Sequence, residues 1–265
     1  MVDVYKNIIT SDEITSLLEY FRLIDDRTDS RPDVVSKHPQ WDKDHWPQGI
    51  IKRILDQVLD KEYLVEEVIF NHSKISFGLH ADSGVSDQPI YKAILIPLEV
   101  TENSGTAFFN NYWLFPSAKF TRQKFNPLDY TVFDCDDNPV KVNLKEFLQN
   151  RDSSLFPTYT DTYINDLIET RLNNTGYTKT DVRTDQYEKI TGYVADGKFN
   201  QTIYNQYLQH IAFDDLTGLT IDQVVPWVPG EVIVFDRTQL HCATSGHQSK
   251  LGITVFTDLL DSNRG

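Results

Sequence analysis

Cysteine is nearly absent: the 265 residues hold two, Cys135 and Cys242, too few and too far apart for a disulfide framework or a thiolate zinc site. A reducing, cytoplasmic setting is therefore expected. Also missing is a basic start followed by an apolar core, since "MVDVYKNIITSDEITSLLEYF" is polar throughout and predicts no secretory signal. No apolar run approaches the ~20 residues that span a bilayer, so a soluble protein is expected. Positive charge is scarce, with 25 Lys and Arg against 39 Asp and Glu and a formal charge of −14. That balance opposes general attraction to a phosphate backbone or an anionic membrane, and neither bulk nucleic acid nor a membrane is an expected partner. No Walker loop, dinucleotide glycine fingerprint or nucleophile elbow is present, nor is any internal repeat or low-complexity tract. The aspartates of "FDCDDNPV" (Phe133–Val140) lack the glycine and terminal glutamate of a calcium loop.

What is present begins with helices. Thr10 and Glu13 have capping-box spacing, and Ile14, Leu17, Leu18 and Phe21 follow at helical period. A polar, proline-punctuated stretch, residues 22–49, reads as an irregular surface segment before a second helix at Gln48 to Leu59, whose buried face is Ile50, Ile51, Ile54, Val58 and Leu59. From Tyr63 the period becomes that of strands. "YLVEEVIFNHSKISFGLH", the nearly continuous apolar run "PIYKAILIPLEV", "SGTAFFN", "VVPWVPGEVIVFD" with its Pro-Gly turn, and "KLGITVFTDLL" are the candidates. Between them, residues 111–226 carry helix-like pieces such as "INDLIETRLNN" and "FNQTIYNQYLQHI", and nine of the thirteen tyrosines. Polar-tipped aromatics in such number suit a cap or lid, and equally an ordinary insertion with half-buried tyrosines. We expect a single domain, with an N-terminal helical part (1–62), a core (63–110 and 227–260) and an insertion (111–226).

The chemistry-bearing stretch is "ISFGLHADSG", Ile75 to Gly84. Residues i and i+2 of a strand point to the same side, so His80 and Asp82 present an imidazole and a carboxylate to one point. Two ligands do not make a site, and a strand-end histidine and aspartate commonly satisfy backbone groups instead. Among the other histidines, His241 has a recognisable lead-in, the Pro-Gly turn and apolar strand of "VPGEVIVFDRTQLH", with a short loop before it; His247 competes for the same role.

These patches, with "YKAILIPLEV", "GTAFF" and "KLGITVF" in the same order, resemble the Fe(II)- and 2-oxoglutarate-dependent dioxygenases. That family has an HxD pair at a strand end and a distal histidine after a "P-x-G-x-x-x-x-F" strand. The resemblance implies a mainly β fold with helices, a double-stranded β-helix (a cupin-like jelly roll) bearing N-terminal helices and a large helical or irregular insertion. It implies Fe(II) held by His80, Asp82 and His241. Two imidazoles and a carboxylate occupy one face of iron and leave the opposite face open for a bidentate cosubstrate and dioxygen, where a closed zinc site would leave none. It further implies 2-oxoglutarate as cosubstrate, converted to succinate and carbon dioxide as a substrate C–H bond is oxidised; with Asp82 in place, hydroxylation is expected over halogenation.

The far carboxylate of 2-oxoglutarate needs a cation. In the resembled family this is usually an arginine on the last core strand, with a serine or threonine two residues on; here the positions hold Lys250 and Gly252. A lysine lacks arginine's bidentate fork and needs a second donor, for which Thr254 shares its strand face. The alternative cation is Lys92 in "PIYKAIL", a lysine that requires a partner or an exit to water from so apolar a strand. The expected substrate is a small molecule or a protein side chain. The competing reading is a cupin-like metal-binding protein without oxygenase turnover.

Overall fold

The computed structural model describes residues 2–24, 33–45, 47–82, 90–112, 118–119, 129–133, 139–143, 198–216, 219–246 and 249–260. Thr10 caps α1 (Ser11–Leu23) as its spacing predicts: the Thr10 hydroxyl accepts from the Glu13 N–H at 3.3 Å, and the Glu13 carboxylate accepts from the Thr10 N–H at 2.9 Å. Helix α2 (Gln48–Val58) buries Ile50, Ile51, Ile54, Leu55 and Val58, and cutting any one to alanine would cost about 2–5 kcal/mol. Both helices lie on a sheet built from β1 (Asp3–Tyr5), β2 (Val34–Lys37), β3 (Tyr63–Ser73), β5 (Ile90–Val100), β11 (Val232–Asp236) and β13 (Lys250–Leu259). Its order is β1-β11-β5-β13-β3-β2.

A second sheet contains β4 (His80–Ala81), β6 (Gly105–Tyr112), β7 (Ala118–Lys119), β8 (Asp129–Phe133), β9 (Pro139–Asn143), β10 (Ile221–Pro226) and β12 (Gln239–Ala243), in the order β10-β6-β12-β4-β7-β8-β9. All pairings in both sheets are antiparallel. The expected jelly roll is present. Strand β5 shows why its sequence reads as an unbroken apolar run: Ile94, Ile96 and Leu98 face the helices, while Ala93 and Leu95 pack between the sheets with Phe108, Val225, Ile233 and Phe235. A strand covered on both faces has no polar side to show.

Several strands lie where none was expected, two of them beside the site or the helices. In the segment read as irregular, β2 pairs with β3, Val34 to Ser73 through Lys37 to Phe70. Buried Lys37 donates to the Phe21 and Ile24 carbonyls at 2.8 and 2.9 Å, closing the C-terminal end of α1 with a cation where the helix dipole favours one. The second is β12, taken as a loop leading to His241. In addition, β7, β8 and β9 from the 111–226 stretch extend the second sheet outward from β4, and β10 forms its other edge. "INDLIETRLNN", most of the tyrosine cluster and His247 lie outside the described residues. Asn200 caps a helical turn, Gln201–Ile203, that continues with a wider turn through Tyr204–Leu208. Among the described residues no helix is long and apolar enough to cross a membrane.

Candidate metal centre

The second sheet brings the separated residues together. Strand β12 pairs with β4 so that His241 lies directly opposite His80, which sets the two rings 4.2 Å apart between centroids. Asp82 follows one residue beyond β4. Its Oδ2 lies 3.3 Å from His241 Nε2 and its Oδ1 lies 3.7 Å from His80 Nε2. One ligand atom from each of the three residues falls within 4.8 Å of the others. The rings of Phe235 and Phe108, at 4.7 and 5.8 Å, hold the His241 imidazole from the side.

The ring orientations follow from local backbone contacts. His80 Nδ1 is 2.8 Å from the Gly78 carbonyl and His241 Nδ1 is 3.0 Å from the Gln239 carbonyl. A carbonyl only accepts, so each Nδ1 carries the proton and each Nε2, turned toward Asp82, presents a lone pair. Two such nitrogens and a carboxylate are all acceptors, and acceptors that converge need a cation among them. A proton on one ring would satisfy one contact, and two imidazoliums this close would repel; a divalent metal satisfies all three, and the Nδ1–carbonyl bonds are the kind that orient metal-ligating histidines. Burial acts to raise the Asp82 pKa, yet positive charge beside it, supplied by a protonated His241 or His80 or by the Arg237 guanidinium, outweighs burial and holds the carboxyl below its ordinary value; a bound cation would supply the same charge to neutral rings. Asp82 is thus a ready anion.

Arg237, which sequence reasoning missed, fixes where Asp82 stands. It occupies the turn between β11 and β12 and is 2% exposed. Its carbonyl accepts from the Asp82 N–H and its Nε donates to the Asp82 carbonyl, both at 2.9 Å. Its Nη1 donates to Asp258 at 3.0 Å and pairs with Glu66. The turn that carries the chain from the first sheet to the second therefore also clamps the ligand loop. Only "D-R" at a strand end hinted at it, a weak signal.

The three residues open into a cavity of about 120 Å³ between the sheets. Lys250, Thr254, Asn71, Thr106 and Trp227 also line it; Lys92 does not. Lys92 instead pairs with Asp236, directly opposite on β11, at 2.6 Å. Lys250 is 4% exposed, with its ammonium 4.5 Å above the Trp227 ring and 5.9 Å from that of Phe77. It makes no ion pair among the described residues, and burial drives its pKa down to about 8 against a small opposing effect of Cys242. Gly252 has a steric reason: a Cβ there would lie 2.8 Å from Trp227 Cζ3 and 3.0 Å from the Ile96 carbonyl. Trp227 is pinned by its indole N–H, which donates to Thr106 Oγ1 at 2.9 Å.

No family model and no curated protein matches the chain. Several solved structures do resemble it. An oxidoreductase of the 2OG-Fe(II) oxygenase family from Burkholderia pseudomallei aligns over 97% of this chain and 84% of its own, at 8% identity and a TM-score of 0.44. HygX from Streptomyces hygroscopicus, with nickel and 2-oxoglutarate bound, aligns over 97% and 82%, at 12% identity and a TM-score of 0.43. A Pseudomonas putida prolyl-4-hydroxylase aligns over 98% and 93%, at 8% identity and a TM-score of 0.40. Likeness at this level assigns no activity to this chain.

Proposed function

We propose that the protein is an Fe(II)- and 2-oxoglutarate-dependent dioxygenase that hydroxylates a C–H bond of a small molecule or a protein side chain. The observation that carries this reading is the shared cavity: three converging acceptors, His80, Asp82 and His241, and a buried lysine, Lys250, line one cleft between the sheets. Iron held there supplies the redox chemistry by which dioxygen oxidises 2-oxoglutarate to succinate and carbon dioxide while the substrate gains a hydroxyl group. The chain's own part is to hold the metal on one side only, to seat the cosubstrate and to keep the cavity dry. His80 and His241 bind through Nε2, Asp82 supplies the negative charge, and Arg237 fixes its position. Lys250 receives the far carboxylate of 2-oxoglutarate in preference to Lys92, whose charge Asp236 already meets. Thr254, on the Lys250 face, lies within the same wall.

A jelly roll that kept these ligands for a structural metal would gain nothing from an ammonium held out of water beside the site, since burying an unpaired charge is costly. The deciding experiment is anaerobic. Adding 2-oxoglutarate to the Fe(II)-loaded protein should produce a visible charge-transfer band, abolished by His80→Ala, Asp82→Ala or His241→Ala. Lys250→Ala should weaken 2-oxoglutarate binding and spare iron. Iron bound without any band would refute the reading. A screen for substrate-stimulated succinate formation would then separate small metabolites from protein side chains.

A further inference from the structure

Lys250 alone is an incomplete seat for a carboxylate. An ammonium is a point charge, whereas a carboxylate has two oxygens and about four lone-pair sites, and at the buried Lys250 end of the cavity those that find no donor stay unsatisfied. Strand β13 offers no side chain at the next inward position, Gly252, and the Trp227 ring fills that space.

The opposite strand does offer a donor. Asn71 on β3 lies directly across from Gly252, and Ser73 directly across from Lys250, so Asn71 is the diagonal neighbour of Lys250, roughly 7–8 Å away or less. Thr254 is one step further, opposite Ile69. Ser73 is already engaged, since its hydroxyl donates to the Ile75 carbonyl at 2.7 Å. The Asn71 amide is oriented from behind: Ser36, its partner on β2, donates to Asn71 Oδ1 at 2.6 Å. With the oxygen turned to β2, the NH2 end remains for the cavity, and it makes no hydrogen bond among the described residues.

We propose that Asn71 is the second anchoring residue for the far carboxylate of a dicarboxylic 2-oxo acid, its NH2 sharing that carboxylate with the Lys250 ammonium; this rests on the 2-oxoglutarate reading above. The Ser36–Asn71–Lys250 line spans three adjacent strands of the first sheet, β2, β3 and β13. Together the two donors select a 2-oxo acid with a second carboxylate over one without.

The test is direct binding to anaerobic Fe(II)-loaded protein, by calorimetry, of 2-oxoglutarate and of pyruvate, which has the same metal-binding head and no far carboxylate. Asn71→Ala should weaken 2-oxoglutarate by about tenfold to a hundredfold, the span of one hydrogen bond to a charged group. Asn71→Asp keeps the shape, replaces the donor with a like charge and should weaken it further. Pyruvate and iron affinities should stay at the wild-type level in both. Wild-type 2-oxoglutarate affinity in both Asn71 variants, with Lys250→Ala impaired, would overturn the role of Asn71 and leave the oxygenase reading standing. Parallel loss of pyruvate, iron and 2-oxoglutarate would overturn it too, by making Asn71 a structural residue. A wild-type protein that binds iron but neither oxo acid would overturn both.

Discussion

Gly252→Ala should destabilise the protein, against the usual direction of that change in a strand. Freed of its neighbours, alanine would be favoured by about 0.5–1 kcal/mol, because glycine loses more backbone freedom on folding. Here the added Cβ meets Trp227 Cζ3 at 2.8 Å, Cη2 at 3.1 Å and the Ile96 carbonyl at 3.0 Å. Sheet backbone cannot yield without disturbing the β13–β5 pairing, in which Gly252 faces Pro97, so the ring must move. Overpacking of this kind costs about 1–3 kcal/mol. Moving the ring also strains the indole bond to Thr106, worth about 1 kcal/mol. The clash wins, and a net loss of about 1–3 kcal/mol is expected, seen in urea as a lower midpoint with an unchanged slope. In a Trp227→Ala background the ring is gone and only the Ile96 carbonyl at 3.0 Å remains, so Gly252→Ala should cost clearly less than in the wild type. A double-mutant cycle between the two positions should therefore show strong coupling. A variant as stable as the wild type, with no coupling to Trp227, would refute the account of why residue 252 has no side chain.

Lys250 gives a pH signature with opposite effects on binding and stability. Its pKa falls from 10.5 to about 8 in the folded protein, so between those values the folded state binds fewer protons than the unfolded one. Stability should then rise with pH across that window, while 2-oxoglutarate affinity, which needs the ammonium, falls as pH rises through about 8. Lys250→Met should remove both slopes in denaturation and binding titrations, and slopes that persist would point to another group. Arg237→Met removes the guanidinium that pairs with the buried Asp258 carboxylate and unties Asp82; a loss of about 3–5 kcal/mol in chemical denaturation is expected from breaking a buried ion pair. Iron affinity should fall by about 10–100-fold, as when the support of a metal ligand is removed. Iron affinity left intact would show that Asp82 holds its place without Arg237.

How much of this was legible depended on whether a partner lay nearby in sequence. The helix start at Thr10, the run in β5 and the His80–Asp82 pair each rest on contacts within a few residues or on a simple period, and the sequence displays them. Strand β12 did not announce itself, because "QLHCA" mixes polar and apolar side chains on a strand whose five residues are all buried. Its polar members are tolerated through distant partners: Gln239 donates to the Phe109 carbonyl at 3.1 Å and to Asp222 at 3.2 Å. Strand β2 was hidden for the same reason, since Lys37 is buried only because α1 ends with open carbonyls beside it. Arg237 reaches Asp82, Glu66 and Asp258 at once, a set that no local pattern brings together.

The cation end of the cavity shows how such distant choices depend on one another. At position 250 the ammonium lies 4.5 Å from the Trp227 ring, which covers one side of it. The ring in turn needs Gly252, and Gly252 removes any donor from that point on β13. The proposed second donor comes from the facing strand, where Ser36 turns the Asn71 amide so that its NH2 remains available. On the proposal made above, lysine, glycine, tryptophan and asparagine would form one solution to seating a carboxylate, drawn from three stretches of the chain. Taken singly in the sequence, Lys250 and Gly252 look like two departures from the resembled pattern; in the structure both lie against the Trp227 ring, which accounts for the glycine. A change at one of these positions would need matching changes at the others, which is why the sequence around Lys250 is harder to read than the histidine and aspartate it serves.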